Sequence, residues 1–138
     1  MIDFIKLVEN TLEEQGKDKT SLFDDNIVSE NTFFKYRQRY PSLKTVMKIA
    51  NYLKVSIDYL FELTDENHFK EYNEASLKFY DNLTSYIKNR KISARQFCKD
   101  LGFAKDNILR WKKGTQPSIQ RLLDMTQYFN CSIDDLIK

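Results

Sequence analysis

Cys98, Cys131 and His68 have the most versatile side-chain chemistry in this chain, and their small number already limits what it can do. A structural zinc site takes four closely spaced thiolate or imidazole ligands, so three such residues spread from 68 to 131 cannot build one. Both cysteines sit among apolar neighbours, Phe97 in one case and Phe129 and Ile133 in the other, as suits small buried hydrophobes in a reducing compartment. His68, within Glu66-Asn67-His68-Phe69, fits a solvated linker or a helix start. No Gly-rich phosphate loop, Ser-centred elbow or His-Glu metal motif is present. Enzyme chemistry therefore has no foothold, and neither a cofactor nor a metal is expected.

The elements that position everything else follow from composition. With 138 residues, the chain suffices for one ordinary domain or two very small ones. No apolar run approaches the roughly 20 residues of a membrane-spanning helix, and the opening Met1-Ile2-Asp3 carries an acid where a secretory signal carries basic residues, so a cytoplasmic protein is expected. Three Gly and two Pro are too few for the many tight turns of a sandwich or propeller, and an all-α fold is expected.

Laid on itself, the chain repeats. Pro41-Ser42-Leu43 through Ser56-Ile57-Asp58-Tyr59-Leu60 aligns without gaps on Pro117-Ser118-Ile119 through Ser132-Ile133-Asp134-Asp135-Leu136, with Tyr52 on Tyr128. Leu43, Val46, Met47, Ala50 and Leu53 follow the spacing of one helix face; Ile119, Leu122, Leu123, Thr126 and Phe129 repeat it with a single lapse at Thr126. Ser42 and Ser118 are natural N-caps, each behind a proline that bars a preceding helix, and Ser56 and Ser132 open a further short helix. Upstream, after the loss of one residue from the first copy, Phe33-x-x-Tyr36 falls on Ile108-x-x-Trp111 and Leu22-Phe23 on Phe97-Cys98. In the second copy Ser93 caps a short helix that Gly102 stops, Ala104 to Lys113 resumes as another, and Gly114 ends it. A glycine between two short helices supplies the left-handed backbone of a helix-turn-helix.

The residues Ser-Ala-Arg-Gln-Phe-Cys-x-x-Leu-Gly-Phe from Ser93, Asn-Ile-Leu-Arg-Trp-Lys-Lys-Gly from Asn107, Pro117-Ser118-Ile119 and the closing Ser-Ile-Asp-Asp-Leu together resemble the lambda-repressor-like helix-turn-helix family of the Cro and xenobiotic-response-element type. The resemblance covers 79–138 strongly and 1–63 more loosely. It implies two tandem five-helix domains, over 1–63 and 79–138, joined by a linker over 64–78. The first copy departs from the pattern at Asn26-Ile27, where the turn glycine would sit, and at Arg39, where the glycine after the recognition helix would sit. Asn tolerates the left-handed region, so the fold survives this change more easily than the docking geometry.

In a helix over Ala104 to Lys113, Ile108 and Trp111 share the inward face, leaving Lys105, Asp106, Leu109, Arg110, Lys112 and Lys113 outward. In the family the outward residues of this helix enter the major groove, which implies Lys105, Asp106 and Arg110 as base-edge contacts. The chemistry fits, since Lys and Arg donate to guanine O6 and N7 and Asp accepts from cytosine N4; Asn107 suits adenine and Leu109 a thymine methyl. Arg95 and Gln96, with Lys112 and Lys113, would reach phosphates and set the register. The corresponding positions of the first copy are Glu30, Asn31 and Lys35 toward bases and Arg37, Arg39 and Lys44 toward phosphates.

Charge separates the copies. Residues 1–74 carry a net −4 and residues 75–138 a net +6, so the second copy has phosphate attraction available and the first must rely on a local patch. Glu30 beside an exposed Phe34 suits a protein-contact surface as well as it suits DNA. The stretch from Leu63 to Asn82 holds no Gly or Pro; Thr64 or Asp65 can cap a helix that continues into the second domain, or two helices can meet at a kink near Ala75-Ser76. The expected function is a bacterial or phage-type transcriptional regulator, a repressor that acts by occupying duplex DNA. It would work as a homodimer or as an intramolecular pseudo-dimer, with the N-terminal domain open to a protein partner. The alternative is a helix-turn-helix scaffold turned into a protein-binding inhibitor or anti-defence protein. An RNA-binding module lacks its usual glycine and aromatic signatures.

Overall fold

The computed structural model describes residues 3–138; Met1 and Ile2, which open the first expected domain, lie outside the described residues. The described residues hold ten α-helices and no strand, as the composition requires. They divide into two compact units, one ending at Asn73 and one spanning Glu74–Lys138.

The first unit contains α1 (Phe4–Glu14), α2 (Thr20–Asp24), α3 (Glu30–Phe34) running into a 3-10 turn at Lys35–Arg37, α4 (Leu43–Leu53) and α5 (Ile57–Leu60). Side chains start four of these helices, because Asp3, Ser29, Ser42 and Ser56 each accept a backbone N–H of the first turn that the helix itself leaves unpaired. The apolar stripe of α4 is buried in full, as its spacing demands. It shares a core with Phe4, Leu12, Leu22, Phe33 and Leu60, each fully buried aliphatic or aromatic side chain contributing about 1.5–3 kcal/mol. Phe4 joins Tyr36 and Phe61 at ring distances of 5.8 and 5.6 Å. Asn26 takes the left-handed conformation, φ +58°, between α2 and α3.

No helix forms over 64–73, and only a 3-10 turn at Glu74–Ser76 precedes α6, so the expected linker helix is replaced by an irregular strap. The physical reason is that side chains take over the backbone pairing. The Asn51 amide exchanges two hydrogen bonds with the Tyr72 backbone (2.9 and 2.8 Å), and the Asn67 amide bridges Lys54 O and Ser56 N. The Tyr72 ring is buried and its hydroxyl accepts from Ile57 N at 2.8 Å. His68 is exposed beside Glu66, as expected of a solvated segment.

The second unit contains α6 (Phe79–Asn89), α7 (Ala94–Leu101), α8 (Asp106–Lys112), α9 (Ile119–Phe129) and α10 (Ile133–Ile137). Ser93, Ser118 and Ser132 cap α7, α9 and α10, the last as a reciprocal capping box with Asp135. Helix α6 packs on α8 and α10. Phe97 stacks on Phe129 at 5.6 Å in the core, and Thr126, the one polar lapse in the α9 stripe, is buried with its hydroxyl donating to Leu123 O at 2.7 Å. Cys98 is buried but Cys131 only half so, because Cys131 lies past the end of α9 on the loop to α10. No described helix is long and apolar enough to cross a membrane, and no described cluster of His, Cys, Asp or Glu can hold a metal ion.

Candidate nucleic-acid interface

The α7–turn–α8 segment is built around one glycine and two aromatic rings. Gly102 adopts φ +70° and lets Phe103 N return to Cys98 O at 2.8 Å, which closes α7 and reverses the chain. Phe103 then packs edge-on against Phe97 and Trp111 at 5.8 and 6.1 Å, with the Arg121 guanidinium 5.0 Å over its face. Trp111 is buried and meets Phe79 edge-to-face at 5.2 Å, so the inward side of α8 is pinned to α6. Helix α8 begins at Asp106, two residues later than expected; no side chain caps it, and the Asn107 amide donates to Ala104 O at 3.2 Å instead.

This anchoring leaves Lys105, Asp106, Leu109, Arg110, Lys112 and Lys113 exposed on and around α8, while Ile108 and Asn107 are half-buried. Leu109 is 53% exposed. Arg110 and Asp106 are joined one turn apart at 2.8 Å. Arg95 stands exposed on the first turn of α7; Gln96 donates to Asp100 at 2.6 Å. The Asp100 carboxyl is held below its usual range, first by a 2.7 Å hydrogen bond from Tyr128 and then by Gln96. Arg90 lies over the Tyr128 and Phe129 rings at 5.1 and 5.5 Å.

Between α7 and α8 lies an open groove of about 400 Å³. Ala94, Cys98, Ile108 and Leu109 form its apolar lining, Tyr80 of α6 closes one side, and Arg95, Lys105 and Lys112 stand around it. Burial pushes the Cys98 thiol above its usual pKa, opposed by the nearby Lys105 charge.

The corresponding surface of the first unit differs. Helix α3 has only five residues before tightening to a 3-10 turn, which carries Lys35 and Arg37. Glu30, Asn31, Lys35, Arg39 and Lys44 are exposed. Phe34, expected to stand exposed, is half-buried between Lys19 and Arg37, whose cationic groups lie 5.2 and 5.3 Å from the ring centre. The reason is local, since Phe34 also packs on the buried Phe33 at 6.0 Å. Tyr40 is likewise half-buried, against Phe61. Arg39 is not among the left-handed residues, whereas Gly114 has φ +107°, so the chain leaves the two short helices differently.

Two features escaped the sequence reading. One is the groove, which no spacing rule reports. The other is a tyrosine-to-aspartate hydrogen bond in each unit, Tyr52 to Asp25 at 2.5 Å and Tyr128 to Asp100 at 2.7 Å; the recurrence of both residues along the repeat was its available signal. Residues 82–138, less than half of the chain, match the family model of the Cro/C1-type HTH DNA-binding domain, so this stretch is similar to that domain. No curated protein and no solved structure matches the chain.

Proposed function

We propose that the protein is a sequence-specific regulator of transcription that binds double-stranded DNA through its second unit, with α8 in the major groove, and represses by occupying its operator. The observation that carries this reading is the arrangement of α8 within the Cro/C1-type domain: Trp111 fixes one side, and Lys105, Arg110, Lys112 and Lys113 lie on the exposed side. In this reading Lys105, Asp106, Asn107, Leu109 and Arg110 meet base edges, and Arg95, Gln96, Lys112 and Lys113 meet phosphates. Asn107 must give up its bond to Ala104 O to do so. The net +6 of residues 75–138 supplies the attraction that dominates non-specific affinity.

We infer further that the first unit is a second, divergent copy of the same domain. Helices α1 and α6 are each 11 residues long and start 75 positions apart, and α4 and α9 are each 11 residues long and start 76 apart. Left-handed residues recur in step, Gly16 with Lys91 and Lys54 with Asn130, and Asn26 lies one position out of register with Gly102. Either one chain supplies both heads to an asymmetric operator through Glu30, Asn31, Lys35, Arg37, Arg39 and Lys44 as well, or the first unit binds protein or a second chain and two chains cover a palindrome with half-sites about one helical turn apart. The net −4 of residues 1–74 favours the second arrangement.

The test is fluorescence anisotropy with a random-sequence duplex over a salt series, using the intact chain and a Lys105→Glu, Arg110→Glu variant checked for helicity by circular dichroism. Salt-steep binding that the folded variant loses supports the reading. Absence of binding at low salt refutes it, and a pull-down for a protein partner then tests the inhibitor alternative.

A further inference from the structure

We propose that the groove between α7 and α8 is a ligand site for a small organic acid, an aromatic or alkyl body carrying one carboxylate, and that its occupation releases DNA. This regulatory claim rests on the function proposed above.

The groove has the volume and character of a small-molecule site. At about 400 Å³ it falls within the roughly 300–1,000 Å³ typical of such pockets, which combine mostly apolar walls with a few placed polar groups. Its uncharged walls are Tyr80 of α6 with Ala94, Cys98, Ile108 and Leu109, and the exposed leucine would lose its contact with water when an apolar body fills the space. The charge around it has one sign. Arg95, Lys105 and Lys112 are lining residues, no Asp or Glu is, and none of the three cations is in a salt bridge among the described residues. A carboxylate on an apolar body satisfies both halves of this surface at once. A phosphate backbone satisfies only the cations and leaves the apolar walls unfilled.

The regulatory consequence follows from shared residues. Arg95, Lys105 and Lys112 are three of the cations assigned to DNA, so an acid that engages them removes phosphate and base donors while its body covers Leu109. Ligand and duplex then compete for one state of the protein, and each weakens the other's apparent affinity.

The test uses the full chain, isotopically labelled, titrated with 4-phenylbutyrate and separately with the uncharged 4-phenylbutanol. Amide chemical shifts locate binding, and duplex affinity is measured with and without the acid at constant ionic strength. The expected result is saturable shifts confined to α7, α8 and the start of α6 around Tyr80, about tenfold weaker binding of the alcohol for the loss of one charge-assisted hydrogen bond, and a duplex affinity that falls as the acid saturates. In Ala94→Trp an indole occupies the groove, and the shifts should vanish with far-UV circular dichroism unchanged. If that variant fails to fold, Arg95→Gln with Lys105→Gln should bring the acid down to the affinity of the alcohol. Shifts that are absent or spread beyond α7, α8 and the start of α6, or an alcohol that binds as well as the acid, overturn the site. Unchanged duplex affinity at saturating acid overturns the competition. A chain that binds no duplex even without acid refutes the proposed function and the release of DNA with it, while the shift map still decides the site.

Discussion

Asp106→Ala isolates the one acid of α8, the helix proposed to enter the major groove. In the free protein Asp106 holds Arg110 at 2.8 Å, with the two side chains 56% and 63% exposed. At that exposure a one-turn pair contributes only about 0.3–0.5 kcal/mol. Asp106 is also the first residue of α8, where a negative charge meets the positive end of the helix dipole for about 0.3–1 kcal/mol. The variant should therefore lose about 1 kcal/mol, a fall in Tm of roughly 4–8 °C for a unit this small. Its effect on DNA should have the opposite sign. A bidentate arginine–guanine contact is worth about 1–3 kcal/mol, well above the ion pair, so the pair does not bar Arg110 from the groove; the carboxylate does repel phosphates and occupy the guanidinium. Anisotropy titrations between 50 and 200 mM salt should show Asp106→Ala binding random duplex more tightly than the parent, with a salt slope steeper by about one as Arg110 becomes free to neutralise a phosphate. Binding by a folded variant that is unaltered at every salt concentration would refute the placement of this face against DNA.

Trp111→Ala removes a buried ring that contacts Phe79 and Phe103 and should cost about 3–5 kcal/mol; a urea midpoint unchanged by circular dichroism would contradict that burial. At Gly102 an added Cβ meets open space, so Gly102→Ala should cost only the left-handed backbone strain of about 1–2 kcal/mol, whereas Asn26→Gly, at a residue already left-handed, should shift stability by less than about 0.5 kcal/mol in the same denaturation assay. Tyr128→Phe probes pH dependence. The Asp100 carboxyl is depressed from its ordinary 3.8, so its contribution is present above that value and lost as pH falls through the folded one; the Tyr128 phenol is raised from 10.0, so its contribution is present below that value and lost as pH rises through the folded one. The gap in Tm between parent and variant should thus be flat from about pH 5 to 9 and close at both ends; a gap that persists at low pH would remove the Asp100 bond as its cause.

Much of the helical framework was legible because it depends on local chemistry. Ser42, Ser93, Ser118 and Ser132 announce helix starts, since each side chain accepts a backbone N–H that sequence position alone makes available. The inward placement of Trp111 followed from helical spacing. What failed depended on partners distant in sequence. The strap over 64–73 holds no helix breaker, yet Asn51 and Tyr72, 21 positions apart, pair its backbone with a side chain instead. Phe34 reads as an exposed residue of a short helix until Lys19, from the preceding helix boundary, is placed over its ring. The groove is equally non-local, because it exists only where α7, α8 and Tyr80 of α6 leave a space that no single helix encodes.

The two units differ where groove chemistry would sit, and this bears on which of them meets DNA. Phosphate binding needs cations that are exposed and not otherwise engaged, on a helix long enough to follow a groove. In the second unit α8 runs seven residues and is followed by Lys113, with Lys105, Lys112 and Lys113 outside any salt bridge among the described residues. In the first unit α3 ends after five residues, Arg37 lies over Phe34, and the surrounding sequence carries a net −4. If the first unit is a copy as proposed, divergence has fallen on this surface while the caps and the buried stripe of α4 persist. A chain that needed two equal DNA heads would keep cations on both. DNA contact by the second unit alone, with the first left to dimerise or to bind a partner, is decided by footprinting: two chains on a palindrome should protect symmetric half-sites, whereas an asymmetric footprint from a single chain would restore the first unit to the groove.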